Sequence, residues 1–136
     1  MITLDTSGLF ARINAADTLH EACRAVLDED TGPYIISTAT LSEIAWVLET
    51  RLHPDVEQAF LQDLQAGAYT LDWEQQDVRR IQELTRRYQD LELGLSDAAV
   101  IACAERNNGR VLTTDRRHFP VVARGEGTIT VLPSLS

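Results

Sequence analysis

The sequence predicts an α/β domain in which a mainly parallel sheet is covered by helices on both faces. Three observations carry that expectation. Short apolar runs alternate with segments whose apolar residues recur every three to four positions, the pattern of strands feeding helices. No tandem repeat, linker or low-complexity stretch divides the 136 residues, which suit one domain over 1–136. The hydrophobic fraction, 44%, is that of an ordinary globular chain with a core to bury.

Met1 to Asp5 reads as the first strand, with Asp5 at its C-terminal end. Thr6 and Ser7 are suited to cap a short helix through Leu9, Phe10 and Ile13. A second helix follows Thr18, because Leu19, Ala22, Cys23, Val26 and Leu27 fall on one helical face. Asp28 to Asp30 read as its solvated end, and Thr31, Gly32 and Pro33 as a turn. Tyr34 to Ile36 forms the second strand and enters a helix capped by Ser37, Thr38 or Thr40, with Leu41, Ile44, Ala45, Leu48 and Leu52 as its stripe. Pro54 opens the next helix, where Val56, Ala59, Phe60 and Leu64 repeat the pattern. Tyr69 to Leu71 is the third strand, followed by a helix carrying Val78, Ile81, Leu84 and Tyr88. Ala98 to Ala104 is apolar on every side, so a helix there must be buried. Ser96 suits its N-cap, and Asn107, Asn108 and Gly109 its stop. Arg110 to Thr113 and Thr128 to Leu132 complete the strands.

No apolar run approaches the roughly 20 residues that span a bilayer, and no export signal opens the chain. A cytoplasmic protein with no membrane contact is expected. Cys23 and Cys103 lie on apolar helix faces and read as buried thiols, since the further ligands of a thiolate metal site are missing. The net charge of −9 argues against a module that grips phosphate by basicity alone. All twelve basic side chains are arginine. The absence of lysine excludes a receiver domain, a haloacid-dehalogenase-type phosphatase and a P-loop nucleotidase. The phosphatase also wants a second aspartate where Ser7 stands, and the nucleotidase a glycine motif.

In open α/β sheets, sites form beyond the C-terminal ends of the strands. Asp5 ends the first strand and Asp115 follows the fourth. Glu43 lies in the first turns of the helix leaving the second strand, and Asp97 begins the buried helix ahead of the fourth. Each has an ordinary alternative as a turn former, cap or first-turn acid. Together they form one candidate site. Crowded carboxylates repel, and their pKa values rise unless a cation neutralises them. Carboxylate oxygens suit Mg²⁺ or Mn²⁺ rather than zinc, and His20, His53 and His118 show no ligand spacing.

Four blocks, "ITLDTSGLFA", "STATLSEIAWVL", "LGLSDAAVIACAER" and "VLTTDRRHF", resemble PIN domains, specifically the bacterial VapC-type toxin ribonucleases. They occur in the family's order over nearly the whole chain. The resemblance implies a three-layer α/β/α sandwich with about five strands. It implies Asp5, Glu43 and Asp97 as an acidic triad, with Asp115 as fourth acid and Thr6 and Thr113 orienting carboxylates or water. It also implies an Mg²⁺- or Mn²⁺-dependent endoribonuclease that cleaves transfer or ribosomal RNA and leaves 5′-phosphate and 3′-hydroxyl ends. A VapB-type antitoxin partner and a homodimer, or a higher toxin–antitoxin assembly, come with it. The alternatives are a housekeeping RNA-processing nuclease and a non-catalytic PIN-like module that binds RNA or protein.

Other features stay open at this level. Arg116, Arg117 and His118 either grip phosphate beside Asp115 or form a solvated turn. Arg79, Arg80, Arg86 and Arg87 either extend an RNA track or make a solvated helix face. Trp46, Val47, Phe60 and Leu61 are either extra core or a groove for a partner segment or second copy. Asp90, in the loop ahead of Asp97, is either a lesser further candidate for the site or structural.

Overall fold

The computed structural model describes residues 1–134. Five parallel strands form one sheet: β1 (Ile2–Leu4), β2 (Tyr34–Ser37), β3 (Thr70–Asp72), β4 (Arg110–Leu112) and β5 (Thr130–Leu132). Their order is β3-β2-β1-β4-β5. In register, Thr3 lies between Ile35 and Val111. The order in which strands are added therefore reverses about β1, and the crevice beyond the ends of β1 and β4 is the switch point where such sheets place their sites.

Among the described residues seven α-helices connect the strands: α1 (Thr6–Ile13), α2 (His20–Glu29), α3 (Leu41–Arg51), α4 (Pro54–Gln65), α5 (Asp77–Arg87), α6 (Leu95–Arg106) and α7 (Phe119–Glu126). A 3₁₀ turn at Thr38–Thr40 leads into α3. Apolar side chains sort into two clusters, as alternation along covered strands requires. Ile2, Leu4, Ile36 and Leu112 pack with Leu9, Leu27, Ile44, Leu48 and Phe60 from α1 to α4. Val111 packs with Ile81, Leu84, Val100, Phe119 and Val122 from α5, α6 and α7. Cys23 and Cys103 are buried free thiols. No helix among the described residues is long and apolar enough to cross a membrane.

Ala98 to Ala104 is buried throughout. Small side chains let this helix lie directly against the strands, and Gly109 ends it at φ +81°, donating to the Ala104 carbonyl at 2.7 Å. Its start differs from expectation. Gly94, in extended conformation, holds the N-cap, and its carbonyl accepts the Ala98 N–H. Ser96 and Asp97 thus fall inside the first turn. At α1, Thr6 and Ser7 are not caps either, because the N-cap is Asp5.

Three further readings change. Helix α7 was not expected, since its Val121, Val122 and Gly125 favour other conformations and tertiary packing overrides that preference. Val78 is 50% exposed, and the buried stripe of α5 begins instead at Asp77. The Asp77 carboxylate is satisfied by a two-point ion pair with Arg106, both contacts at 2.7 Å. A buried acid in an apolar register reads as polar in sequence. In α4, Ala59 is exposed and only Phe60 is buried.

Candidate active site

Asp5 leaves β1 with its backbone N–H still donating to the Leu112 carbonyl of β4, at 2.9 Å. That bond sets it beside Thr113. Two hydroxyls then grip one carboxylate oxygen, Oδ2: Thr113 donates at 2.8 Å and Ser7 at 2.7 Å. Ser7 Oγ also accepts the Thr114 N–H at 3.0 Å, and Thr113 Oγ1 accepts the Asp115 N–H at 3.0 Å. The loops after β1 and β4 are therefore one hydrogen-bonded unit. Burial raises the Asp5 pKa against the lowering effect of the Ser7 and Thr113 hydrogen bonds, and the Glu43 charge raises it further.

Asp97 stands in the first turn of α6, where the helix dipole favours an anion. Its surroundings oppose ionisation. Burial, with Asp5 and Asp115 alongside, pushes its carboxyl up to about 6. Asp115 goes the other way. Burial alone would raise it, but N–H groups from His118 and Arg117 and the His118 ring hold it below the usual carboxylate range. Those contacts are 2.8 Å from Arg117 N, 2.9 Å from His118 N and 2.9 Å to His118 Nδ1. Asp97, Asp115 and His118 offer ligand atoms that all lie within 4.8 Å of one another.

One cleft of about 440 Å³ takes in all four acids, with Glu43 reaching it from the exposed side of α3. Thr6 lines it too, and its buried Oγ1 has no hydrogen-bond partner among the described residues. His118, which shows no ligand spacing in sequence, is brought beside Asp97 and Asp115 by the fold, its Nδ1 2.9 Å from the Asp115 carboxylate. The predominance of carboxylate oxygens, the crowded negative charge and the orphaned hydroxyl fit a hard divalent cation.

The basic residues are arranged otherwise. Arg116 turns away to donate to the Pro133 carbonyl at 2.8 Å, and exposed Arg117 lies 3.8 Å from Glu92. Arg87 pairs with Glu126 at 2.6 Å, while Arg79, Arg86 and Arg87 line a separate groove. Arg80 bridges Glu105 and Glu126, tying α5 to α6 and α7. Trp46 and Val47 line the acidic cleft, whereas Phe60 and Leu61 line a different, apolar groove between α3 and α4.

Sequence reading missed Ser7, Asp17 and Arg51. Asp17 and Arg51 also line the cleft. For Ser7 a signal existed: a hydroxyl two residues after a strand-end aspartate can turn back to it. Ser7→Ala should cost about 1–2 kcal/mol, because it leaves the Thr114 N–H unpaired. Urea unfolding with an unchanged midpoint would show that the hydroxyl has no such role.

A five-stranded parallel sheet with a carboxylate-lined crevice at its switch point defines an α/β protein with an acidic site. The chain belongs to the PIN-domain family, whose sequence profile matches residues 2–125. It is similar to Ribonuclease VapC26 of Mycobacterium tuberculosis (strain ATCC 25618 / H37Rv), 33% identical over 133 residues that cover 96% of this chain and 98% of that protein. The crystal structure of Mycobacterium tuberculosis VapC20, described as a Sarcin-Ricin loop cleaving toxin, superposes with a TM-score of 0.78 at 18% identity, covering 90% of this chain and 95% of that one. FitAcB from Neisseria gonorrhoeae superposes with a TM-score of 0.64 at 21% identity, covering 96% of each chain. These two likenesses bear on the fold.

Proposed function

We propose that this chain is a divalent-cation-dependent endoribonuclease, the toxin of a VapBC-type pair, acting on cellular transfer or ribosomal RNA. Asp5, Glu43, Asp97 and Asp115 are the ligands and catalytic acids in this reading. The observation that carries it is a single cleft lined by carboxylates from four separate elements. Similarity to a protein named as a ribonuclease supports RNA as the substrate class.

When bound, Mg²⁺ or Mn²⁺ supplies positive charge that acidifies water and offsets charge developing on the phosphoryl and leaving oxygens. The chain's own residues do the rest. Both hydroxyls on Asp5 engage Oδ2, so Oδ1 carries no side-chain hydrogen bond among the described residues. Asp115 is held ionised by its N–H donors. With a cation bound among Asp5, Asp97 and Asp115 to offset the burial and like charges that raise its carboxyl, Asp97 is a carboxylate suited to accept the proton of an attacking water. Thr6 offers its unpartnered hydroxyl to the same cleft. The apolar groove of about 270 Å³ lined by Leu41, Ala45, Phe60, Leu61 and Leu64 supports docking of a VapB-type antitoxin segment. A homodimer is the assembly we assign to the toxin.

The metal assignment has a direct test. Only the folded state assembles the ligands, so Mg²⁺ or Mn²⁺ should raise the melting temperature by the equivalent of roughly 2.7 kcal/mol at a hundred times Kd. A melting curve unmoved by either ion at millimolar concentration would defeat the assignment.

A further inference from the structure

We propose that the α3 wall of the cleft holds the unpaired flank of the RNA, a base stacking on Trp46 and a neighbouring phosphate meeting Arg51. The proposal rests on the nuclease reading of the acids and adds a substrate-positioning surface to it. Four cleft-lining residues of α3 are Glu43, Trp46, Val47 and Arg51. Their offsets, 0, 3, 4 and 8, place them on one helical face, while Ile44 and Leu48 fill the buried one. At 1.5 Å of rise per residue, the strip from Glu43 to Arg51 runs about 12 Å. It passes from carboxylate to indole to guanidinium.

Neither Trp46 nor Arg51 is taken up by the core or by an ion pair among the described residues. Trp46 is 59% exposed, so its ring is not core. Among the described residues, Arg51 is the single basic one lining the cleft, and no ion pair uses it. Its guanidinium sits 5.8 Å from the centre of the Phe10 ring, another cleft-lining group. That cation–π contact holds the charge at the wall and leaves its N–H edge free for an anion. In a chain of net charge −9, a polyanion entering a carboxylate-lined cleft needs such a cation.

The chemistry selects the occupant. An indole face beside a phosphate-binding guanidinium matches the repeat of a single-stranded nucleic acid, base then phosphate, and stacking tolerates any base. Bases inside a duplex present no open face, so the flank must be unpaired.

The test uses the full chain carrying Asp97→Asn to stop cleavage, and a fluorescent single-stranded oligoribonucleotide of about ten nucleotides, within the span a single-strand site covers. Adding Trp46→Ala or Arg51→Ala should weaken binding roughly tenfold, and Trp46→Phe should recover most of the loss. The same oligonucleotide annealed to its complement should bind less well and be indifferent to Trp46→Ala. In cleavage-competent chains the loss should fall on KM rather than kcat, with the metal-induced thermal shift intact. Unchanged single-strand affinity in Trp46→Ala overturns the proposal, as does an equal loss with duplex. Unchanged RNA affinity with altered self-association would assign the indole to a protein contact and overturn it too. Absence of RNA cleavage by the unmodified chain with Mg²⁺ or Mn²⁺ strikes instead at the nuclease reading.

Discussion

Asp97→Asn is expected to lower RNA cleavage by at least roughly a hundredfold while the fold survives. Asparagine keeps the shape of the side chain and removes its charge and basicity. No hydrogen bond of the surrounding framework is lost, because the contacts that join the loops run through Asp5, Ser7, Thr113 and Asp115. Cleavage of a labelled RNA in Mg²⁺ or Mn²⁺, read beside circular dichroism, separates catalysis from folding. Wild-type rates in a folded variant would remove Asp97 from the site.

The same substitution has a stability signature without metal. The Asp97 carboxyl is raised to about 6 in the folded chain, from an ordinary value of 3.8, by burial and by Asp5 and Asp115. A raised folded pKa means that the folded state binds the proton more tightly. The stabilisation this brings is complete below 3.8 and is lost as pH rises through about 6. The neutral amide mimics the protonated acid. Metal-free Asp97→Asn should therefore melt above wild type at pH 7 and converge with it near pH 4. A divalent ion should reverse the order by stabilising wild type alone. A melting difference independent of pH would contradict the electrostatic account.

Gly8→Ala is expected to destabilise the chain by about 3 kcal/mol, at the upper end of what overpacking costs. A methyl group at Gly8 would stand 2.3 Å from the Leu112 carbonyl oxygen and 2.7 Å from its carbon. These are backbone atoms of a central strand, whose oxygen already accepts the Asp5 N–H. Neither partner can swing aside, so α1 must lift from the sheet, taking Asp5, Thr6 and Ser7 along. Urea unfolding should show a lower midpoint, and cleavage should fall with it. An unchanged midpoint would mean that α1 shifts at no cost.

Periodicity and strand-end position made much of this molecule readable in sequence. The alternation of elements gives the parallel sheet, and the rule for such sheets brings Asp5 and Asp115 to one edge. Glu43 stands nearly opposite its helix's buried stripe, and it is exposed there, along the cleft. What local pattern does not encode is what lies across the sheet. Ser7 and Thr113 are 106 positions apart, so their meeting depends on the pairing of β1 with β4. Gly8 looks like a weak point of a helix until Leu112 is set against it. Asp77 reads as surface until Arg106 arrives, which moves the apparent stripe of α5 by one residue. Arg51 looks like any solvated helix end before Phe10 comes beneath it.

Helix α6 is enclosed on all sides from Ala98 to Ala104, and Asp97 rides at the tip of that rod. The carboxylate cannot swing clear of its neighbours by fraying, since loosening the rod would open the centre of the protein. The cation we propose would thus meet a socket already in shape. The work of gathering like charges is done once, when the chain folds, and is not repeated at each turnover.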